Sequence, residues 1–191
     1  MSGLTGRNPV EAFEKFTTHL GKLINQTISD APLSYIVVDD KHNRAYLSFR
    51  RHDSPIAAPL LSQGLYLFLG QVVTVVPEDK NWRLKTLQYR YWIQADTDQN
   101  TQKWFFRFEY SSPNIKPTQS PRHHLHIPCA LSCGKESIQL DRTHIPTGWV
   151  TVEELIRFLI VELKVKCKTK KWEQLLFDSE DKFREWTART I

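Results

Sequence analysis

Apolar residues near the start of the chain recur at intervals of three and four positions. They are Phe13, Phe16, Leu20, Leu23 and Ile24. This spacing lays one apolar stripe along a helix. Asn8 is a suitable N-cap, Pro9 a favourable first helical residue, and Glu11 a candidate for the reciprocal bond of a capping box. We therefore predict an amphipathic helix over residues 9–26 that packs against a sheet.

After this helix the pattern changes to short runs of β-branched and aromatic residues separated by polar turns. Residues 33–38 and 44–51 flank one such turn, which predicts a hairpin. The next strand-forming segment, residues 65–76, is interrupted by Gly70. A glycine inside a strand pattern predicts a bulge or a turn at that position.

In two longer segments, residues 84–95 and 103–111, successive side chains alternate between the two faces of a strand. In the second segment, one face carries the aromatic residues Trp104, Phe106, Phe108 and Tyr110. Phe105, Arg107 and Glu109 fall on the other face because side chains alternate along a strand. Arg107 and Glu109 therefore point the same way, and an ion pair is the simplest role for the two.

The C-terminal part returns to helical spacing. Thr151 and Glu154 form a second capping-box signature, and the apolar stripe behind them predicts a helix to about residue 166. Residues 172–177 and 183–186 predict two shorter amphipathic helices.

These elements predict an α+β fold, a mostly antiparallel β-sheet packed by an N-terminal helix and C-terminal helices. Residues 131–137 predict a turn, and residues 138–140 predict a short strand before the helices. The length of 191 residues fits a single domain with a β-rich core over residues 33–145 and a helical part over residues 151–191.

Composition narrows the class of protein. Hydrophobic residues make up 40% of the chain, which excludes collagen-like and disordered proteins. The net charge of +5 permits a polyanionic partner without requiring one. The sequence has no apolar run near the roughly 20 residues that span a bilayer, and three cysteines are too few for a disulfide framework. We expect a cytoplasmic protein with no membrane partner.

Three of the seven histidines lie within eight residues, Pro121 to Pro128. If this segment is extended, His124 and His126 share one face, and His123 points to the other face with Leu125 and Ile127. His123 is therefore predicted to be structural.

Two imidazoles on one strand face can act as general base and general acid near neutral pH. Cleavage of an RNA phosphodiester bond can use this pairing without a metal or any other cofactor, since the 2′-hydroxyl of the substrate is the nucleophile. Arg107 and Arg122 are candidates to hold the phosphate. His123 or His144 could replace either histidine.

Other interpretations of the same residues remain open. A solvated, inert histidine loop is one of them. A zinc site is another, and its candidate ligands are His124, His126, Cys129, Cys133 and His144. The Cys-x3-Cys spacing is not that of a standard zinc knuckle, and buried structural thiols also explain the cysteines.

A basic run follows the predicted Thr151 helix. Lys164, Lys166, Lys168, Lys170, Lys171 and the adjacent Trp172 are candidates for binding nucleic acid, by phosphate contacts and base stacking. Lysines at the C-terminal end of a helix also complement the helix dipole, which explains part of the run without a ligand.

The order of motifs resembles TumE-like toxins of prokaryotic toxin-antitoxin pairs. The resemblance covers about residues 65–163 and rests on Tyr89-Arg90-Tyr91, Phe106-Arg107-Phe108-Glu109-Tyr110 and His123-His124-Leu125-His126. Carried over by position, the matching residues are Arg107, Glu109, His123, His124 and His126, with Glu109 in place of the commoner aspartate. The resemblance implies a toxin or defence-linked protein that acts on RNA.

The leading hypothesis is therefore a metal-independent ribonuclease with His124, His126, Arg107 and Arg122 at its site. RNA and an antitoxin or other protein are the expected partners, and a homo-oligomer is compatible with the sequence. The alternatives are a noncatalytic RNA-binding or protein-interaction accessory subunit and a metal-binding protein. Motifs of nucleotide hydrolases, classical hydrolases and dehydrogenases are not found in the sequence.

Overall fold

The computed structural model describes residues 5–50, 58–98, 103–112, 121–133 and 135–187. The helices and strands are α1 Pro9–Thr27, β1 Leu33–Asp39, β2 Arg44–Phe49, β3 Tyr66–Glu78, β4 Asn81–Gln94, β5 Trp104–Ser111, β6 His123–His126, β7 Ala130–Cys133, β8 Glu136–Gln139, β9 Ile145–Pro146, α2 Val152–Val161 and α3 Trp172–Thr187. Within these ranges, seven strands form one sheet in the order β1-β2-β3-β4-β5-β6-β9, and each neighbouring pair is antiparallel. The predicted α+β fold is confirmed.

The helices cover one face of this sheet. Helix α1 lies against β1 and β4, and α3 contacts both other helices. The fully buried side chains of this layer include Tyr89 and Tyr91 of β4, whose rings stack 4.7 Å apart, and Leu159 of α2. We call this side the helix face. No described helix is long and apolar enough to cross a membrane.

Strand register defines the opposite face. Tyr91 pairs with Phe108 and Phe108 with Leu125, so these residues belong to the helix face. Their neighbours along the strands point the other way because successive side chains alternate. We call this second side the histidine face, and it carries Trp92, Arg107, Glu109, His124 and His126.

The N-terminal cap differs in one bond from the prediction. Asn8 Oδ1 accepts a hydrogen bond from Glu11 N at 2.9 Å, as expected of an N-cap. The Glu11 carboxylate, however, accepts from Arg7 N at 2.8 Å and from the Arg7 guanidinium at 3.0 Å. The predicted reciprocal bond to Asn8 is therefore wrong, because the neighbouring Arg7 offers two donors and a positive charge.

Helix α2 begins with the capping box predicted at Thr151 and Glu154. It ends at Val161, five residues before the predicted end. Lys164 takes a positive φ of 56°, and Val165 N donates a hydrogen bond back to Leu159 O at 2.9 Å. In this turn a backbone N–H donates to a carbonyl group of the last helical turn, and the positive φ of Lys164 prevents the helix from continuing.

The two predicted short helices over residues 172–177 and 183–186 are one helix, α3. The intervening residues 178–182 contain neither glycine nor proline, so nothing interrupts the backbone hydrogen bonds. Residues 188–191 of the predicted helical part lie outside the described residues, as does residue 51 of the predicted second strand.

Two predictions for the sheet are also corrected. Gly70 is a regular member of β3 and pairs with Arg90, and a side chain there would collide with the Tyr46 hydroxyl. Gly70 therefore makes room for the ring of Tyr46, and it marks neither a bulge nor a turn. Residues 131–133 and 136–137, which the predicted turn over residues 131–137 includes, belong to β7 and β8, a separate antiparallel pair in which Leu131 pairs with Ile138.

A buried polar cluster joins the three helices. Ser179 of α3 donates a hydrogen bond to Glu153 of α2 at 2.5 Å, and His19 Nε2 of α1 lies 2.8 Å from the Ser179 hydroxyl oxygen. Burial lowers the pKa of His19, and the charges of Lys182 and Lys22 lower it further. Burial raises the pKa of Glu153.

These shifts predict opposite effects of pH on stability. His19 binds a proton more weakly in the folded chain, so its contribution to stability is complete above its ordinary pKa of 6.5 and is lost as the pH falls below that value. The contribution of Glu153 is complete below its ordinary pKa of 4.5 and is lost as the pH rises through its raised pKa.

Thermal unfolding between pH 5 and pH 8 checks this prediction. We expect His19→Gln to reduce the loss of melting temperature on acidification, and Glu153→Gln to raise the melting temperature more at pH 8 than at pH 5. Parallel melting-temperature curves for either variant and the wild type would contradict the assignment for that residue.

Candidate active site

The pairing of β5 with β6 brings four functional side chains to the histidine face. Arg107 pairs with His126, and Glu109 pairs with His124. Residues opposite each other in an antiparallel pair point to the same side. The His124 and His126 rings lie 5.0 Å apart, which confirms the prediction that they share a face.

His144 joins them from the segment before β9. His124 pairs with Pro146 and Leu125 with Ile145, so the next position along the register sets His144 across from His126. The His144 ring lies 4.6 Å from the His124 ring and 4.7 Å from the His126 ring. One nitrogen atom from each ring lies within 4.8 Å of the others. We call these three residues the histidine group.

A hydrogen bond of His124 fixes the tautomer of its ring. Its Nδ1 lies 2.7 Å from the carbonyl oxygen of Pro121, and a carbonyl can only accept, so Nδ1 carries the proton. In the neutral ring Nε2 therefore keeps its lone pair. This atom lies 3.9 Å from Glu109 Oε2.

His126 is the most enclosed member of the group, with only 7% of its surface exposed. Its Nδ1 is buried and has no hydrogen-bond partner within the described residues. Burial lowers the pKa of His126, and the positive charge of Arg107 lowers it further, although Glu109 opposes the shift. Burial also lowers the pKa of His144, so the neutral imidazole is favoured for His126 and His144 at neutral pH.

Glu109 is held in place by two neighbours. Its Oε1 accepts hydrogen bonds from Trp92 Nε1 at 2.9 Å and from Arg107 Nε and Nη2 at 3.1 and 2.6 Å. Burial raises the pKa of the Glu109 carboxyl, but the charge and hydrogen bonds of Arg107 outweigh this and hold the pKa below its ordinary value. Glu109 is therefore an ionised carboxylate whose second oxygen faces His124.

A β-bulge corrects the predicted position of Trp104. Ile93 pairs with Phe106 and Gln94 pairs with Trp104, so Phe105 is the additional residue. The inserted residue reverses the alternation, and Trp104 leaves the aromatic face of β5 for the histidine face. Its ring lies 6.5 Å from the His126 ring.

Arg107 has two aromatic neighbours, its cross-strand partner Trp92 and Trp104, which the bulge brings to this face. The guanidinium carbon lies 4.5 Å from the centre of the Trp92 ring and 5.1 Å from that of the Trp104 ring. Cation–π contacts of this kind hold a guanidinium in one position. Sequence reasoning missed both tryptophans, although the alternation along β4 places Trp92 on the face opposite to Tyr91.

His123 lies on the helix face, away from the histidine group, as predicted. Its ring stacks on Tyr110 at 4.4 Å, and its Nδ1 lies 3.3 Å from the Tyr89 hydroxyl oxygen. These contacts give it a structural role. Arg122 directly precedes β6 and is exposed, and its carbonyl accepts a hydrogen bond from Ser111 N.

The lysine run follows α2, and the described side-chain partners of Lys164 and Lys168 lie in α2, in α1 and just after α1. Lys164 Nζ donates to Val161 O at 2.7 Å, and Lys168 pairs with Asp30 and donates to Asn25 O at the end of α1. These two lysines therefore have structural partners. Lys166, Lys170 and Lys171 are exposed, whereas Trp172 packs partly against the apolar core.

Among the described side chains, the group with metal-binding geometry consists of three histidines and does not include Cys129. Cys129 is exposed, and the side chain of Cys133 lies outside the described part of the chain. Of the mixed histidine and cysteine set considered from sequence, the structure therefore brings the three histidines together. Comparisons with protein-family models, curated proteins and solved structures give no match to this chain.

Proposed function

We propose that this protein cleaves RNA on its histidine face, as a toxin or defence-linked protein. The observation that supports the proposal is the convergence of the histidine group with Arg107 and an ionised Glu109 on one face of the sheet. The resemblance of the sequence to TumE-like toxins supports the same class of function. It also leads us to propose a cytoplasmic location and an antitoxin partner.

The reaction starts with attack of the 2′-hydroxyl oxygen on the neighbouring phosphorus. His124 Nε2, whose lone pair is set by the bond from Nδ1 to Pro121, accepts the hydroxyl proton. His126 donates a proton to the leaving 5′-oxygen from its protonated form, which is the minor form at neutral pH because burial lowers the pKa of this ring. The P–O5′ bond breaks, and the products are a 2′,3′-cyclic phosphate and a 5′-hydroxyl end.

Arg107 stabilises the charge that develops on the phosphate. Its side chain is 28% exposed, and its Nε and Nη2 atoms already bond Glu109, so Nη1 is the atom that we propose binds a phosphate oxygen. The two tryptophan rings and Glu109 hold the guanidinium in place before the substrate arrives. A fixed donor of this kind is more effective than a mobile one because it does not reorganise during the reaction.

A pair of matched oligonucleotides tests this proposal. We expect the wild-type protein to cleave an RNA and to leave 2′,3′-cyclic phosphate ends, which mass spectrometry identifies. The same oligonucleotide with deoxyribose at the cleaved position should remain intact there, because it lacks the attacking oxygen. Equal cleavage of both strands, or an intact RNA, would overturn the proposal.

A further inference from the structure

We infer that His124, His126 and His144 bind one divalent transition-metal ion of the zinc class. The three rings form a nearly equilateral triangle, with ring centres 4.6 to 5.0 Å apart. The rings are steeply inclined to one another, at 67° to 86°. Steeply inclined rings can direct one nitrogen each toward a common centre, whereas stacked rings cannot.

The donor atoms select the class of ion. Imidazole nitrogen binds zinc, copper, nickel and iron, whereas magnesium and calcium prefer oxygen. In a tetrahedral zinc site, with Zn–N distances of about 2.0–2.1 Å, the nitrogens lie about 3.3 Å apart. The nitrogens of the histidine group lie within 4.8 Å of one another, so small side-chain rotations suffice to close the site.

The surroundings of His124 are those of a metal ligand. A ligating histidine commonly donates its second ring N–H to a carbonyl or carboxylate, which fixes the ring and leaves the other nitrogen for the ion. His124 Nδ1 makes such a bond to Pro121 O at 2.7 Å. Its Nε2, the free nitrogen, is the atom on the side of Glu109.

His126 provides a second, independent indication. It is 93% buried, and its Nδ1 has no partner within the described residues. A buried polar atom without a partner is uncommon and calls for a ligand or a bound water. An ion bound by this imidazole, with the water molecules that accompany it, would satisfy that requirement.

The charge around the group is compatible with a dication. Glu109 and Arg107 form an ion pair whose formal charges cancel, so the pair does not repel a dication, and Glu109 Oε2 lies 3.9 Å from His124 Nε2. Three protein ligands leave a fourth position open for water or another small ligand. His124 and His144 are only partly buried, so the ion can enter from solvent.

Metal binding has a consequence for RNA cleavage, which rests on the proposed function. The Nε2 lone pair of His124 cannot bind zinc and accept the 2′-hydroxyl proton at the same time. The zinc-bound and proton-transferring forms therefore exclude each other, and zinc regulates cleavage by inhibiting it.

Calorimetric titration of the chelator-treated full chain with Zn²⁺ tests the inference. We expect one ion per chain and a loss of affinity on the order of 100-fold or more in His144→Ala and in His124→Ala. Co²⁺ should give the visible absorption of a low-coordinate nitrogen site. His42→Ala is the matched control, because His42 is an exposed histidine in the β1–β2 turn. Circular dichroism establishes that each variant is folded.

The outcomes separate the metal site from the proposed reaction. An absence of Zn²⁺ binding, or equal binding by the His144→Ala, His124→Ala and wild-type chains, overturns the inference. Loss of RNA cleavage at one equivalent of Zn²⁺, with recovery after chelation, supports the regulatory consequence. Cleavage that requires Zn²⁺ keeps the metal site and overturns both the regulation and the proton-transfer mechanism.

Discussion

Replacing either His124 or His126 by alanine is expected to slow RNA cleavage by about 10²- to 10⁴-fold, the usual contribution of a general acid or base. His124 is expected to take the proton from the nucleophile, and His126 to give one to the leaving oxygen. Neither residue can substitute for the other because each ring is fixed on its own position of β6. Single-turnover rates on one labelled RNA measure the effect.

Two further variants serve as controls for this prediction. His42→Ala removes an exposed histidine of the β1–β2 turn and should leave the rate unchanged. His123→Ala removes a ring stacked on Tyr110 and should lower thermal stability more than the rate of the chemical step in the folded fraction. Cleavage at the wild-type rate by both His124→Ala and His126→Ala would exclude the proposed mechanism.

Replacing Leu159 by alanine is expected to lower the free energy of unfolding by about 2–5 kcal/mol. Leu159 is fully buried in α2 and belongs to the core that joins the helices to the sheet. Its truncation removes apolar contacts and leaves a cavity that the packed layer can fill only in part. Urea or guanidinium unfolding at equilibrium measures the change.

A variant of the same helix provides the matched control. Val161 lies two residues further along α2 and is 40% exposed, so Val161→Ala should change stability by no more than about 0.5 kcal/mol. Equal effects of the two substitutions would show that α2 does not dock through Leu159.

The pair of Arg107 and Glu109 combines a structural role with a chemical one. Its residues are two apart on β5, so their proximity follows from the strand period alone. The surroundings of the pair do not follow from that period. Trp92 adds a hydrogen bond to Glu109, and Trp92 and Trp104 flank the guanidinium, which makes this ion pair part of a fixed site.

Local sequence patterns predicted those features that depend on a few consecutive residues. The caps at Asn8 and Thr151 formed because each side chain lies within three residues of the N–H that it accepts from. The shared face of His124 and His126 follows from the two-residue period of a strand. Single contacts changed local details, as with Arg7, which took the carboxylate of Glu11 away from Asn8.

By itself, then, the sequence determined the α+β class, the helix starts and the pairing of two histidines on one strand face. Only the tertiary structure decided that His144, Trp92 and Trp104 belong to the same site. His144 is separated from His126 by the β7–β8 hairpin and meets it through the register of β6 with β9. Trp104 reaches His126 because a bulge at Phe105 reverses the alternation of β5. Register and bulges are set by packing between distant segments, and the periodicity of one segment does not contain that information.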